Sequence, residues 1–215
     1  MMIRIVAALL ALTLITWPIA VSAKRVPPKD ECARDPGLAA TLRQLHAAHD
    51  KRDARPLLDL INDDVLFSFG DGAGKADFIR AWKLDRNPQR SAIWAELGKV
   101  LALGCALDRD KASIPHFYAR AGAGRDGFAT WIPIVPNVNL RRMPRPNAPV
   151  VKMLRWDILS SVGHPSEVGR WAKVETDERQ AGYVRTDLLQ NLAGYRILLS
   201  KSRGRWRINT FVTGD

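Results

Sequence analysis

Near residue 130 the spacing of apolar residues changes from three and four to two, and that change limits what the chain can fold into. Upstream, Leu38, Leu42, Leu45 and Ala48 or His49 recur at three- and four-residue intervals, as on one face of an amphipathic helix. A second short helix is expected over residues 56–61, where Pro56 is tolerated in the first turn. A strand at 65–69, a glycine turn at 70–74 and a helix at 75–83 follow, the last turning Phe78, Ile79 and Trp82 inward. Residues 93–106 read as helical or mixed, with Trp94, Leu97, Val100 and Leu101 as the apolar stripe. Downstream, short alternating runs at 131–135, 138–141, 150–154, 170–174 and 182–184 are separated by proline- and glycine-bearing turns. Short strands at such close spacing argue for a small barrel. The last two runs, 195–201 and 205–213, flank Ser202-Arg203-Gly204 and read as a hairpin.

The N-terminus sets the expected compartment. Arg4 precedes an apolar run from Ile5 to Ala20, and Val21-Ser22-Ala23 places small residues just before Lys24. Charged start, apolar middle and small-residue exit are what a signal peptidase requires. Residues 1–23 are therefore expected to be a signal peptide, with the rest of the chain exported to the bacterial periplasm. The run is short for a spanning helix, and no later stretch is long and apolar enough to cross a bilayer. Residues 24–36, polar and carrying Pro27-Pro28, read as a linker.

Cys32 and Cys105 are the only cysteines. An even pair in an exported chain reads first as a disulfide, the alternative being two separate buried thiols. Closing a loop of about 70 residues contributes at most about 4 kcal/mol. Neither cysteine has a C-x-x-C partner, which disfavours a thioredoxin-like or zinc role. The chain carries a net charge of +11, spread along its length rather than gathered in one patch. That spread argues against a nucleic-acid partner. It leaves two readings open: plain solubility, or attraction to anionic partners such as cell-wall polymers and phospholipid headgroups.

The middle stretch resembles a bacterial SH3 domain. The resemblance rests on Val138-Asn139-Leu140-Arg141, on Pro144 and Pro146, on the stretch from Ala148 to Val151, and on Leu154. It continues through Gly169-Arg170-Trp171-Ala172-Lys173-Val174 and Gly182-Tyr183-Val184 to Leu188-Leu189. It implies an SH3-like barrel over 131–190 whose groove recognises a peptidoglycan peptide or a periplasmic protein segment, without a cofactor. Trp156, Trp171, Tyr183 and Arg141 are the residues it assigns to that groove. More faintly, residues 57–82 and Gly204-Arg205-Trp206-Arg207-Ile208-Asn209 resemble parts of an NTF2-like domain. On that reading 37–130 and 194–215 form one discontinuous domain with the barrel inserted; otherwise 37–130 is a separate helical domain and the hairpin docks beside it. The expected fold is thus α+β: a mainly helical N-terminal region, a small SH3-like barrel and a C-terminal hairpin.

No catalytic motif emerges, and neither a metal nor a cofactor is expected. His46, His49, Asp50 and Asp53 share one helical face but lack the H-E-x-x-H spacing. Phe69 and Ala76 stand where a phosphate loop needs glycine and Ser/Thr. No serine lies in G-x-S-x-G, and His116 and His164 have no recognisable partner. Asp63 and Asp64 read as a helix end rather than a catalytic pair. The alternative function is an enzyme or small-molecule binder with a cavity walled by Phe67, Phe69, Trp82 and Trp94. Asp64, His116 and Arg80 would converge in it.

Overall fold

The computed structural model describes residues 24–70, 72–122, 124–163 and 169–214. The expected signal segment and His164 lie outside them. Among the described residues, no helix is long and apolar enough to cross a membrane.

The fold is α+β. Helix α1 (Pro36–Lys51) starts where Asp35 Oδ1 accepts the Leu38 N–H at 2.9 Å and ends where Arg52 turns left-handed. Its buried face is Leu38, Leu42, Leu45 and Ala48. The short helix α2 (Ala54–Leu60) is capped by Asp53, whose Oδ1 accepts the Arg55 N–H. It leads directly into β1 (Ile61–Leu66). Then come α3 (Gly74–Ala81), α4 (Ile93–Leu101), the hairpin β2 (Ala106–Asp108) and β3 (Lys111–Ile114), and α5 (His116–Ala121). The chain ends in a second hairpin, β11 (Arg196–Ser202) and β12 (Arg205–Val212). That last hairpin supplies the middle of a five-stranded sheet ordered β1-β12-β11-β3-β2, in which only the β1–β12 pairing is parallel. Helices α1 to α4 and Ile197, Leu199, Trp206, Ile208 and Phe211 of the hairpin share one buried core.

Between the two halves of that sheet's sequence lies a second, all-antiparallel sheet. Its strands are β4 (Thr130–Pro133), β5 (Val138–Arg141), β6 (Val150–Leu154), β7 (Leu159–Ser161), β8 (Trp171–Thr176), β9 (Ala181–Arg185) and β10 (Leu189–Asn191). They pair in the order β10-β4-β7-β8-β9-β5-β6, which is open at β10 and β6; no closed barrel is formed by these pairings. Val138, Leu140, Leu154, Leu159, Ala172, Val174, Val184 and Leu189 make its core. Gly182 is required here, because a Cβ would lie 2.7 Å from the Arg141 carbonyl oxygen where β9 crosses β5. The chain enters and leaves this sheet at one place: the Leu192 N–H donates to Thr130 O and the Ala193 N–H to Gly127 O.

Two expectations need correction. Residues 24–36 are not a free linker. The Val26 N–H donates to Trp156 O and the Ile158 N–H to Lys24 O, while the Glu31 N–H donates to Cys105 O and the Cys105 N–H to Lys29 O. Val26 is buried in a third apolar cluster with Leu103, Phe117, Ile132, Ile158 and Leu192, which joins the two sheets. The first strand lies at 61–66 rather than 65–69, because Ile61 and Val65 face the core and Asn62 bonds to Asn209 on β12. The stretch 93–106 is mixed, as one of the two expected readings had it: α4 ends at Leu101 and β2 begins at Ala106. Gly104, at φ 73°, reverses the chain where Lys29 crosses so closely that a Cβ would sit 2.5 Å from the Lys29 carbonyl oxygen.

Cys32 and Cys105 are bonded across a sequence separation of 73 residues, as the even pair implied. Reducing this bond, or replacing both cysteines by serine, is expected to lower stability by about 2–4 kcal/mol. Urea unfolding with and without reductant checks it; an unchanged midpoint would remove the bond from the list of constraints.

Candidate functional site

Strands β8, β9, β5 and β6 expose one face while burying the other. Residues paired across an antiparallel ladder share a face, and the register matches Trp171 with Arg185, Lys173 with Tyr183, Tyr183 with Arg141, and Asn139 with Met153. Burial alternates accordingly: Ala172, Val174, Gly182, Val184 and Leu140 are buried, whereas Trp171, Lys173, Tyr183, Arg185 and Arg141 are half-buried or exposed. The outer face therefore carries two aromatic rings among cationic side chains, running out to Met153 on β6. Arg141 is held in place by donating from Nη1 to Ala148 O at 2.7 Å. Arg185 is paired with Asp187, its Nε 2.9 Å from Oδ1, and that contact raises the guanidinium pKa and lowers the carboxyl.

Three of the four expected groove residues, Trp171, Tyr183 and Arg141, thus share a surface. Trp156 does not join them. It sits at φ 65° in the turn between β6 and β7, gives its carbonyl to Val26, and packs against the cluster joining the two sheets.

The residues weighed for chemistry are dispersed. His49 Nδ1 lies 2.9 Å from Asp50 Oδ1, and His49 packs against Gly98 of α4, while His46 rims a separate cavity. Among the described residues no group of three or more His, Cys, Asp or Glu comes together to hold a metal. Asp64 is exposed on β1, Arg80 pairs with Asp77 on α3, and His116 is buried against Glu31, so the three do not converge. Trp82 and Phe67 pack with Phe78 in the aromatic core. Trp94 is buried and donates to Pro88 O, and Phe69 is exposed beneath the Arg196 guanidinium. The cavity of about 270 Å³ rimmed by His46, Arg43 and Asp30 is floored by Leu42, Leu101 and Ile114.

One charged cluster escaped the sequence reading because its members come from distant segments. Arg120 donates from Nε to Glu31 Oε1 at 3.2 Å, from Nη2 to Glu31 Oε2, and from Nη1 to Asp108 at 2.9 Å. His116 Nε2 lies 3.2 Å from the same Glu31 carboxylate, and the Leu107 N–H donates to it. The Arg120 contact holds the Glu31 carboxyl at about 2, against an ordinary 4.5, despite the opposing pull of burial. Asp35 is likewise held at about 2, against 3.8, by Lys201 and by the helix N–H that it caps. These contacts fasten distant segments to one another. Both carboxyls are more acidic folded than unfolded, so the unfolded chain binds more protons between about pH 2 and 5, and stability is lost as pH falls through that window.

Comparison of the chain with protein-family models, with curated proteins and with solved structures finds no match.

Urea midpoints are expected to be flat from pH 7 to about 5 and to fall steeply below it. Glu31→Gln should cost about 2–3 kcal/mol at neutral pH and reduce the acid slope, since it leaves Arg120 with a weaker partner. An acid slope identical in Glu31→Gln would show that this carboxylate does not contribute.

Proposed function

We propose that the chain is an exported binding or scaffolding protein of the bacterial periplasm, with an SH3-like unit that holds a cell-wall peptide or a protein segment on its outer face. The observation that carries this reading is the gathering of Trp171, Tyr183 and Arg141 on the exposed side of a sheet whose other side is packed. Aromatic rings offer large contact area at low entropic cost, and cationic groups between them select anionic or carbonyl-rich ligands. The motif residues support the SH3-like assignment by position: Val138–Arg141, Trp171–Thr176 and Ala181–Arg185 are strands. A single 3-10 turn, Thr186–Leu188, precedes the last short strand. Helices laid on one side of a five-stranded sheet support an NTF2-like reading of the flanking unit.

The test is sedimentation of the purified protein with insoluble peptidoglycan at low and moderate salt. Wild-type binding should survive moderate salt, and Trp171→Ala should weaken it about tenfold, the effect of removing one aromatic anchor. The variant should keep its unfolding midpoint, because Trp171 lies outside the packed clusters. Binding that salt abolishes, or that Trp171→Ala leaves intact, would reduce the interaction to nonspecific charge attraction.

A further inference from the structure

We propose that the β5–β6 hairpin docks on a bilayer surface bearing anionic phospholipid headgroups. Its charged groups, Arg142, Arg145 and Arg155, are distinct from Trp171 and Tyr183, and Met153 borders both surfaces.

From residue 127 to residue 156 the sequence contains no Asp or Glu, but it holds Arg141, Arg142, Arg145, Lys152 and Arg155. Lys152 is spent internally, with Nζ 2.6 Å from Glu178 and 3.4 Å from the buried Asp157. The guanidinium groups of Arg142, Arg145 and Arg155 meet no acidic partner among the described residues. The same hairpin carries four of the nine large apolar side chains that stand exposed among those residues: Met143 at 40%, Val150 at 50%, Val151 at 37% and Met153 at 49%. Exposed apolar groups beside unpaired cations fit a boundary that is anionic at its surface and apolar just beneath.

The loop is built to present these groups. Arg141 clamps the Ala148 carbonyl, the Arg142 N–H donates to Pro149 O, and the Ala148 N–H donates to Arg145 O. Ala148 is buried beneath them. Arg142, Met143 and Arg145 are therefore held outward on a braced turn.

An acidic polypeptide added as an extra strand would satisfy the same charges, and the edge itself argues against it. Strand β6 lies at the end of the sheet, where an added strand would have to pair. Yet Pro149 precedes it, the ladder slips at Leu140 and Arg141 so that Val151 is bulged, and Lys152 points inward. Proline, bulges and inward charges are the devices by which sheets refuse edge pairing. A lipid surface asks nothing of the backbone ladder.

The experiment sediments the full chain with vesicles of phosphatidylglycerol mixed with phosphatidylcholine, and with phosphatidylcholine alone. The second vesicle controls for the apolar N-terminal segment, which would enter both surfaces alike. Binding is expected to be greater with phosphatidylglycerol than with phosphatidylcholine alone, the excess weakening as salt rises. The excess should fall about tenfold or more in the double variant Arg142→Glu, Arg145→Glu, and should fall in Met143→Asp as well. Trp171→Ala should bind vesicles like the wild type, which separates this docking from the peptidoglycan assay. Unfolding midpoints establish that the variants are folded, and the loop positions of Arg142, Met143 and Arg145 leave the core untouched. Equal binding to both vesicle types, or full binding by the charge-reversed variant, would overturn the proposal. So would capture of a polyglutamate peptide with no vesicle binding, which would assign the hairpin to an acidic polypeptide.

Discussion

The segment from Lys24 to Asp35 is the fastening on which the arrangement of the two sheets depends. It bonds through its backbone first to residues 156–158 of the second sheet and then to Cys105 beside the first. Backbone bonds at an exposed strap would fray, because each is worth only about 1 kcal/mol net in competition with water. Two stronger constraints prevent this. Cys32 is bonded to Cys105, and the preceding Glu31 is caught by Arg120, which reaches at the same time to Asp108 and to the Leu107 carbonyl. The covalent and ionic clasps are one residue apart on the strap, so neither can open without loading the other.

Asp35 continues the same logic at the strap's end. One carboxylate caps α1 through Leu38, accepts from Trp206 Nε1 at 3.2 Å, and takes Lys201 Nζ at 2.8 Å. Lys201 also lies over the Trp206 ring. The first helix is thereby tied to the last hairpin, and the five-stranded unit is closed across nearly the whole length of the chain. A second tie acts at the far end of β11. There the buried Arg196 guanidinium donates to the carbonyls of Ala193 and Gly214 and lies between the rings of Phe69 and Tyr118. A planar cation between aromatic faces, with N–H groups on backbone carbonyls, is well accommodated inside.

Local pattern made much of this legible. The 3.6-residue spacing of Leu38, Leu42 and Leu45 marks α1, alternation marks β5 and β8, and Arg203-Gly204, both at positive φ, mark the final hairpin turn. What escaped was set by distance. Strands β2, β3 and β7 have three or four residues each, too few to show a period, and exist because longer neighbours pair with them. The strap looked like a linker because its partners, Trp156, Cys105 and Arg120, lie far along the sequence. Trp156 was misplaced for a related reason: an aromatic residue beside a strand reads the same whether it meets a ligand or a neighbouring cluster. Trp171, Tyr183 and Arg141 are grouped in the sequence only by the resemblance, and their common face becomes visible only with the register that pairs Lys173 with Tyr183 and Tyr183 with Arg141.

The two sheets treat their outward polar groups differently, and that difference bears on function. On the five-stranded sheet, Asn62 bonds to Asn209, and Asn209 donates to Ser200, so polar groups of three adjacent strands satisfy one another. A face whose donors and acceptors are already paired gains little from a ligand, because every new bond must replace an old one. On the seven-stranded sheet the outward groups of Trp171, Tyr183 and Lys173 have no such ladder among the described residues, and their aromatic surface stays partly wetted. Contact with a ligand there removes apolar area from water without breaking an internal bond. Rigidity comes from the opposite side, where Val174, Val184 and Leu140 are fully buried. The fastenings at the strap hold the scaffold still, and the partly exposed groups on its second sheet are the ones the proposed binding would use.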